Sequence, residues 1–264
     1  MEQTLDPKRM NAHKSYSLEE IQTMAPSVFT VGKAPHLTDK YIQTPTSRVV
    51  EDLMKLGWQV TKAQEIKARK GKGFQKHIVV FRNPNIMITG KNGDDSYPQI
   101  LLTNSHNGKC AFVFKVGIYR LICSNGLVIA DAEFSNVSIR HMNYTFEMLQ
   151  TKISEMIEKL PGLVKKINLF KLTQLTTEQM NEFAAKAASL RKQTIVNLDE
   201  LLTATREEDK GNDLWVIFNR VQEKIVNGGY GYGRKNRKAR SIKNFQQDLK
   251  VNEQLFELAE VYVS

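Results

Sequence analysis

The chain has 264 residues, 41% of them hydrophobic, and a formal net charge of +10. That length and apolar content suffice for a sizeable buried core. No apolar run is long enough to cross a membrane, and the polar start, MEQTLDPKRMNAHKSY, lacks the hydrophobic segment of a signal peptide, so a cytoplasmic protein is expected. The two cysteines, Cys110 and Cys123, fit a reducing compartment and are too few for a four-cysteine zinc site. A disulfide across neighbouring strands is the other arrangement open to them.

Residues 1–44 read as an N-terminal arm, with Ser17 and Glu20 spaced as a capping box for a short helix. Thr46-Ser47 caps a helix over 48–56 that carries Val49, Val50 and Leu53 on one face and stops at Gly57. From Trp58 the pattern alternates through Val60 and Ala63, crosses a tip, and resumes as His77-Ile78-Val79-Val80-Phe81-Arg82. This is a hairpin whose tip holds Arg69, Lys70 and Lys72, with Lys76 beside it. Asn92-Gly93-Asp94-Asp95 is a turn, and a further strand runs from Tyr97 to Thr103. Asn104-Ser105-His106-Asn107-Gly108 turns the chain into a strand-rich run from Ala111 to Cys123. Ser124-Asn125-Gly126 breaks that run, Leu127-Val128-Ile129 resumes it, and a last short strand is expected over 134–142.

After Tyr144 the character becomes helical. Thr145 to Leu160 carries one apolar stripe and ends at Pro161-Gly162. Thr176 to Gln179 opens a second helix, and Asn197 to Glu200 starts a short third. Asn212 or Asp213 caps a fourth over 214–226 that Gly228-Gly229 ends, and a last helix runs over 246–261. The expected fold is α+β: an antiparallel β-sheet core with an N-terminal helix and several C-terminal helices. It forms one domain over 45–264, sheet-rich at 45–142 and helical at 143–264.

Charge clusters where the chain is richest in glycine. Gly228-Gly229-Tyr230-Gly231-Tyr232-Gly233 leads into Arg234, Lys235, Arg237, Lys238, Arg240 and Lys243. Tyrosines offer stacking faces and the cations neutralise phosphates, a combination suited to single-stranded nucleic acid. The bland reading is a flexible solvated loop. With the basic hairpin (Arg69, Lys70, Lys72, Lys76, and Phe74 as a further stacking ring) the expected partner is nucleic acid, DNA foremost. An acidic host protein is the alternative partner.

Catalytic readings are weaker. His106, Cys123 and Asn125 stand at strand ends and could meet as base, thiol and orienting amide. Turn formation and a buried cysteine are the commoner roles for such residues. Asp94, Asp95, Asp131 and Glu133 are acids of the kind that hold magnesium, but they read as turn and surface residues. No nucleophile elbow, metal-binding histidine pair or phosphate loop occurs, so no cofactor and no metal are expected.

The segments 103–108, 121–128 and 77–82 together resemble a phage/plasmid-like family known as a domain of unknown function (number nine hundred and thirty-two). The C-terminal part is similar too: Leu214-Trp215 with Asn219, the Gly-Gly ending, Arg240-Ser241-Ile242, Asp248-Leu249-Lys250-Val251-Asn252, and Leu255 to Ala259. Phe256 stands where the family often has Trp, and the resemblance spans roughly 45–262. It implies a protein of a phage, plasmid or other mobile element in bacterial cytoplasm, and it brings no established activity. The order of elements is also similar in outline to single-strand annealing recombinases, which act as oligomers. A DNA-binding homo-oligomer serving annealing, recombination or replication is therefore the expectation.

Overall fold

The computed structural model describes residues 14–41, 43–68, 72–87, 96–110, 112–120, 125–128, 144–195 and 197–263. The chain forms two compact units. The first comprises Met1–Gly90, Asp95–Gly126 and Ala132–Lys159, and the second comprises Lys91–Asp94, Leu127–Asp131 and Leu160–Ser264. No helix among the described residues is long and apolar enough to cross a membrane.

The first unit starts with α1 (Leu18–Met24). Ser17 accepts from the Glu20 amide, while the Glu20 carboxylate takes the Ser17 amide, closing the capping box. A 3-10 turn (Pro26–Phe29) follows, then α2 (Thr46–Lys55). Thr46 is the first helical residue and Pro45 the cap, one step from the sequence expectation. Gly57 leaves the helix at φ 85°, a conformation open to glycine.

The sheet has the order β1-β2-β3-β4-β5, from β1 (Gln59–Glu65), β2 (His77–Arg82), β3 (Ser96–Asn104), β4 (Val113–Arg120) and β5 (Asn125–Val128). β1 to β4 pair antiparallel, each with its neighbour in chain order, as the sequence predicts. One sheet face carries Val60, Val79, Phe81, Ile100 and Leu102, all fully buried with Ile21 and Val28 of the arm and Val49, Val50 and Leu53 of α2. From Lys14 onward the arm docks on its own sheet: the Tyr16 amide donates to the Val60 carbonyl at 2.9 Å, and the Ala34 amide to the His106 carbonyl at 2.9 Å. Asn125 and Gly126, read from sequence as a break, lie inside β5. The expected turn at 92–95 and strand at 134–142 lie outside the described residues.

α3 (Phe146–Leu172) crosses from the first unit's residues into the second's. It runs through Pro161, where sequence predicts a stop. Proline removes one amide donor and disfavours a helix interior. Here Leu160, Leu163, Ile167 and Phe170 continue the buried stripe, and their burial overrides the local penalty.

In the second unit, α4 (Thr177–Ser189) opens with a Thr176–Gln179 capping box, and α6 (Leu214–Asn227) with the Asp213 carboxylate accepting from the Val216 amide. The short α5 (Asp199–Leu202) lies between them, and α7 (Phe245–Glu260) follows. Phe170, Phe183, Trp215, Phe218 and Phe256 fill the centre, with ring centroids 5.4–6.4 Å apart. Arg206 binds both oxygens of Glu223 at 2.6 and 2.8 Å and Asp209 at 2.8 Å, tying a 3-10 turn (Glu207–Asp209) to α6.

α6 ends at Gly228, with φ 76°. A Cβ there would lie 2.5 Å from the Ala239 carbonyl oxygen and 2.7 Å from the Arg240 carbonyl carbon, both backbone atoms. Gly228→Ala is therefore expected to destabilise the protein by roughly 1–3 kcal/mol, read as a lower urea midpoint at unchanged m-value. An unchanged midpoint would show that the hairpin crossing at Ala239 is not fixed.

Candidate nucleic-acid interface

The stretch expected to be a basic loop is a short antiparallel ribbon. β6 (Gly231–Tyr232) pairs with β7 (Arg237–Lys238), with Gly231 opposite Lys238 and Tyr232 opposite Arg237. Gly233 (φ 69°) and Asn236 (φ 44°) turn its tip, as positive φ favours these residue types. The Gly229 amide donates to the Ala239 carbonyl and the Ile242 amide to the Val226 carbonyl, anchoring the base on α6. At the tip the Gly233 amide donates to the Thr194 carbonyl at 2.7 Å.

Three residues outside the ribbon hold it. Lys192, at φ 54°, ends the turn after α4 and sets Arg191 and Gln193 against the ribbon. The Arg191 guanidinium donates to the Ile225 carbonyl at 2.7 Å, the Arg240 carbonyl at 2.8 Å and the Tyr230 hydroxyl at 3.4 Å. The Tyr230 hydroxyl donates in turn to Gln193 Oε1. Glu200 accepts from the Gly231 amide at 2.9 Å and the Lys238 ammonium at 3.3 Å. Those two contacts, the amide first, hold its carboxyl below the usual carboxylate range.

Sequence reasoning had no means of finding these three. Arg191 meets its carbonyl partners 34 and 49 residues away, and nothing local marks it.

Arg234, Lys235, Arg237, Lys238, Arg240 and Lys243 are all exposed. Among the described residues Arg234, Lys235, Arg237 and Arg240 make no ion pair, and Lys238 pairs with Glu200. An open cavity of about 590 Å³ is lined by Arg191, Gln193, Tyr232, Arg237, Lys238 and Arg240. A second, of about 240 Å³, is lined by Tyr232, Gly233, Arg234, Lys235 and Arg237. Tyr232 is half-buried beside both. Tyr230 corrects the expectation: it is 1% exposed, its ring is part of the core, and it offers no stacking face. Burial also raises its phenol above the ordinary value.

The other basic stretch belongs to the first unit. Lys72 is exposed and Lys76 half-buried there, whereas Arg69 and Lys70 lie outside the described residues. Phe74 is half-buried, and its carbonyl accepts the His106 amide at 3.1 Å.

The candidate catalytic turn is a buried polar network. His106 and His77 are both fully buried, with rings 5.3 Å apart. His77 stands between the Ser27 hydroxyl at 3.0 Å and the Thr46 hydroxyl at 2.9 Å. The Asn104 amide donates to Thr46 at 2.9 Å, and Gln43 Nε2 lies 3.2 Å from His106 Nδ1. A base must reach its substrate's proton, and an imidazole with no exposed surface does not. His106 therefore reads as architecture, which corrects its candidacy as a base. Cys123 lies outside the described residues, and of Asn125 the structure describes its place in β5. Asp94, Asp95, Asp131 and Glu133 lie outside the described residues too.

An α+β unit with a buried histidine core and a helical unit bearing a basic ribbon together make up this chain, which belongs to the family described as Domain of unknown function (DUF932), matched over residues 35–256. The chain is 27% identical to the UPF0380 protein YafZ of Escherichia coli (strain K12) over 255 residues, covering 93% of this chain and 91% of that one. It is 26% identical to the UPF0380 protein YfjQ of the same organism over 254 residues, with the same two shares. No solved structure matches the chain.

Burial, and then the charge of His106, push the His77 imidazole down to about 3 from an ordinary 6.5. The unfolded chain takes up this proton near pH 6.5 and the folded chain only near pH 3. The stability from the neutral ring is thus complete above pH 6.5 and is lost as the pH falls below it. The stability difference between wild type and His77→Gln should shrink by about 1.4 kcal/mol per pH unit below 6.5. Urea titrations of both at pH 7, 6 and 5 check this, and a constant difference would show that His77 titrates normally.

Proposed function

We propose that this protein binds nucleic acid, DNA in the first instance, through the ribbon and flanking cations at 228–243, and serves strand annealing, recombination or replication of a mobile element. The carrying observation is that four exposed cations, Arg234, Lys235, Arg237 and Arg240, lie within seven residues on a braced backbone with no ion pair among the described residues. Phosphates neutralised there release condensed counterions, and that release drives binding. A braced ribbon keeps the charges apart at fixed places, so less conformational entropy is lost on binding than with a loose loop. The mobile-element setting and the bacterial cytoplasm rest on the family resemblance alone.

Fluorescence anisotropy with labelled oligonucleotides from 50 to 200 mM salt tests this. Wild type should weaken steeply with salt, and a variant with Arg234, Lys235, Arg237 and Arg240 changed to Ala should lose up to about 3 from the log–log slope on a single strand. Its affinity at low salt should fall at least roughly tenfold. Binding that ignores salt, or a variant equal to wild type, would refute the reading.

A further inference from the structure

Tyr230 and Tyr232 look interchangeable in the sequence and are not. Tyr230 is buried, its hydroxyl held between Arg191 and Gln193. Tyr232 is half-buried and lines both cavities, with Arg237 directly opposite it across the ribbon. Residues opposite each other in an antiparallel pair project to the same side, so a ring and a guanidinium share one face.

The bonding of Tyr230 also orients Gln193. A guanidinium has donors alone, so at the Arg191 contact the phenol oxygen accepts, and the phenol proton goes to Gln193. The amide oxygen of Gln193 is therefore turned to Tyr230, and its NH2 group makes no hydrogen bond among the described residues. Gln193 lines the larger cavity, whose volume of about 590 Å³ falls within the range of small-ligand sites. An aromatic ring and an oriented amide thus line the same cavity as Arg237, Lys238 and Arg240.

Building on the nucleic-acid reading above, we infer that the cavities beside Tyr232 form a subsite for an unstacked base of a single strand. The base stacks on Tyr232, the Gln193 NH2 donates to an acceptor on the base edge, and neighbouring phosphates meet Arg237 and Arg240. In a duplex the faces of the bases are stacked on one another, so no base is offered to the ring. The groove therefore prefers single strands, and Tyr232 and Gln193 set that preference while the cations set the overall affinity.

The test uses the full chain and four labelled ligands: single-stranded DNA, single-stranded RNA of the same sequence, the DNA strand with abasic sites, and duplex DNA. Tyr232→Ala should weaken binding to the tighter of the two intact single strands roughly tenfold, with its salt slope unchanged. It should leave the abasic strand and the duplex at wild-type affinity, and Tyr232→Phe should bind as wild type. Gln193→Glu keeps the acceptor for Tyr230 and replaces the donor with an anion, so it should weaken the intact strand more than the abasic one. Equal losses on intact and abasic strands, or no loss in either variant, would overturn the subsite. Salt-sensitive wild-type binding in that case would leave the nucleic-acid reading standing. No wild-type binding to any of the four, or equal binding to polyglutamate, would overturn both.

Discussion

The Arg191 guanidinium donates to the carbonyls of Ile225 and Arg240 and to the Tyr230 hydroxyl, and the shape of the basic ribbon depends on these bonds. A stretch with glycine at 228, 229, 231 and 233 loses much backbone freedom on ordering, roughly 1–2 kcal/mol per residue. Charge-assisted bonds from a part-buried arginine offset some of that loss, and the Glu200 bond to the Gly231 amide adds to it. With its charge directed at backbone carbonyls, Arg191 braces the groove while Arg234, Lys235, Arg237 and Arg240 face solvent. The aromatic centre around Trp215 and Phe218 supplies the rigid helix from which the ribbon springs.

Several polar residues that carry the family resemblance, among them His77, Asn104, His106, Asn219 and Asn252, fall in buried networks. Asn104 holds the Thr46 hydroxyl that meets His77, and His106 packs on the His77 ring. In the helical unit, Asn219 donates to the Trp215 carbonyl at 2.7 Å, and Gln222 donates to Asn252 at 2.7 Å. Polar groups with so little exposure are costly unless hydrogen-bonded, so such networks constrain sequence strongly. The Asn-Ser-His motif, whose commoner role is to form a turn, also ties the arm and α2 to the sheet in this protein.

Much of the fold was legible in the sequence because its signals are local. The Ser17–Glu20 and Thr176–Gln179 boxes and the Asp213 cap each lie within four residues of chain, and β2 and β3 declare themselves by dense apolar runs. Pro161 misled because a continuing buried stripe outweighs one lost hydrogen bond. Asn125-Gly126 misled because turn residues also occur within strands when a neighbour pairs with them. The candidate site was half legible. Its cations are visible as composition, but its walls depend on Arg191 and Gln193, and the fate of each tyrosine depends on contacts set by tertiary structure. A glycine-rich sequence gave no sign that its backbone would be held as a ribbon.

The central claim is that this ribbon is where a polyanionic strand meets the protein. Hydrogen–deuterium exchange on the full chain, with and without a saturating single-stranded oligonucleotide at low salt, examines it directly. The account predicts slower exchange in peptides covering 229–240 and 191–195, with the amides of the His77–His106 core unchanged. Unaltered exchange across the ribbon under saturating ligand, or protection confined to the first unit, would contradict it.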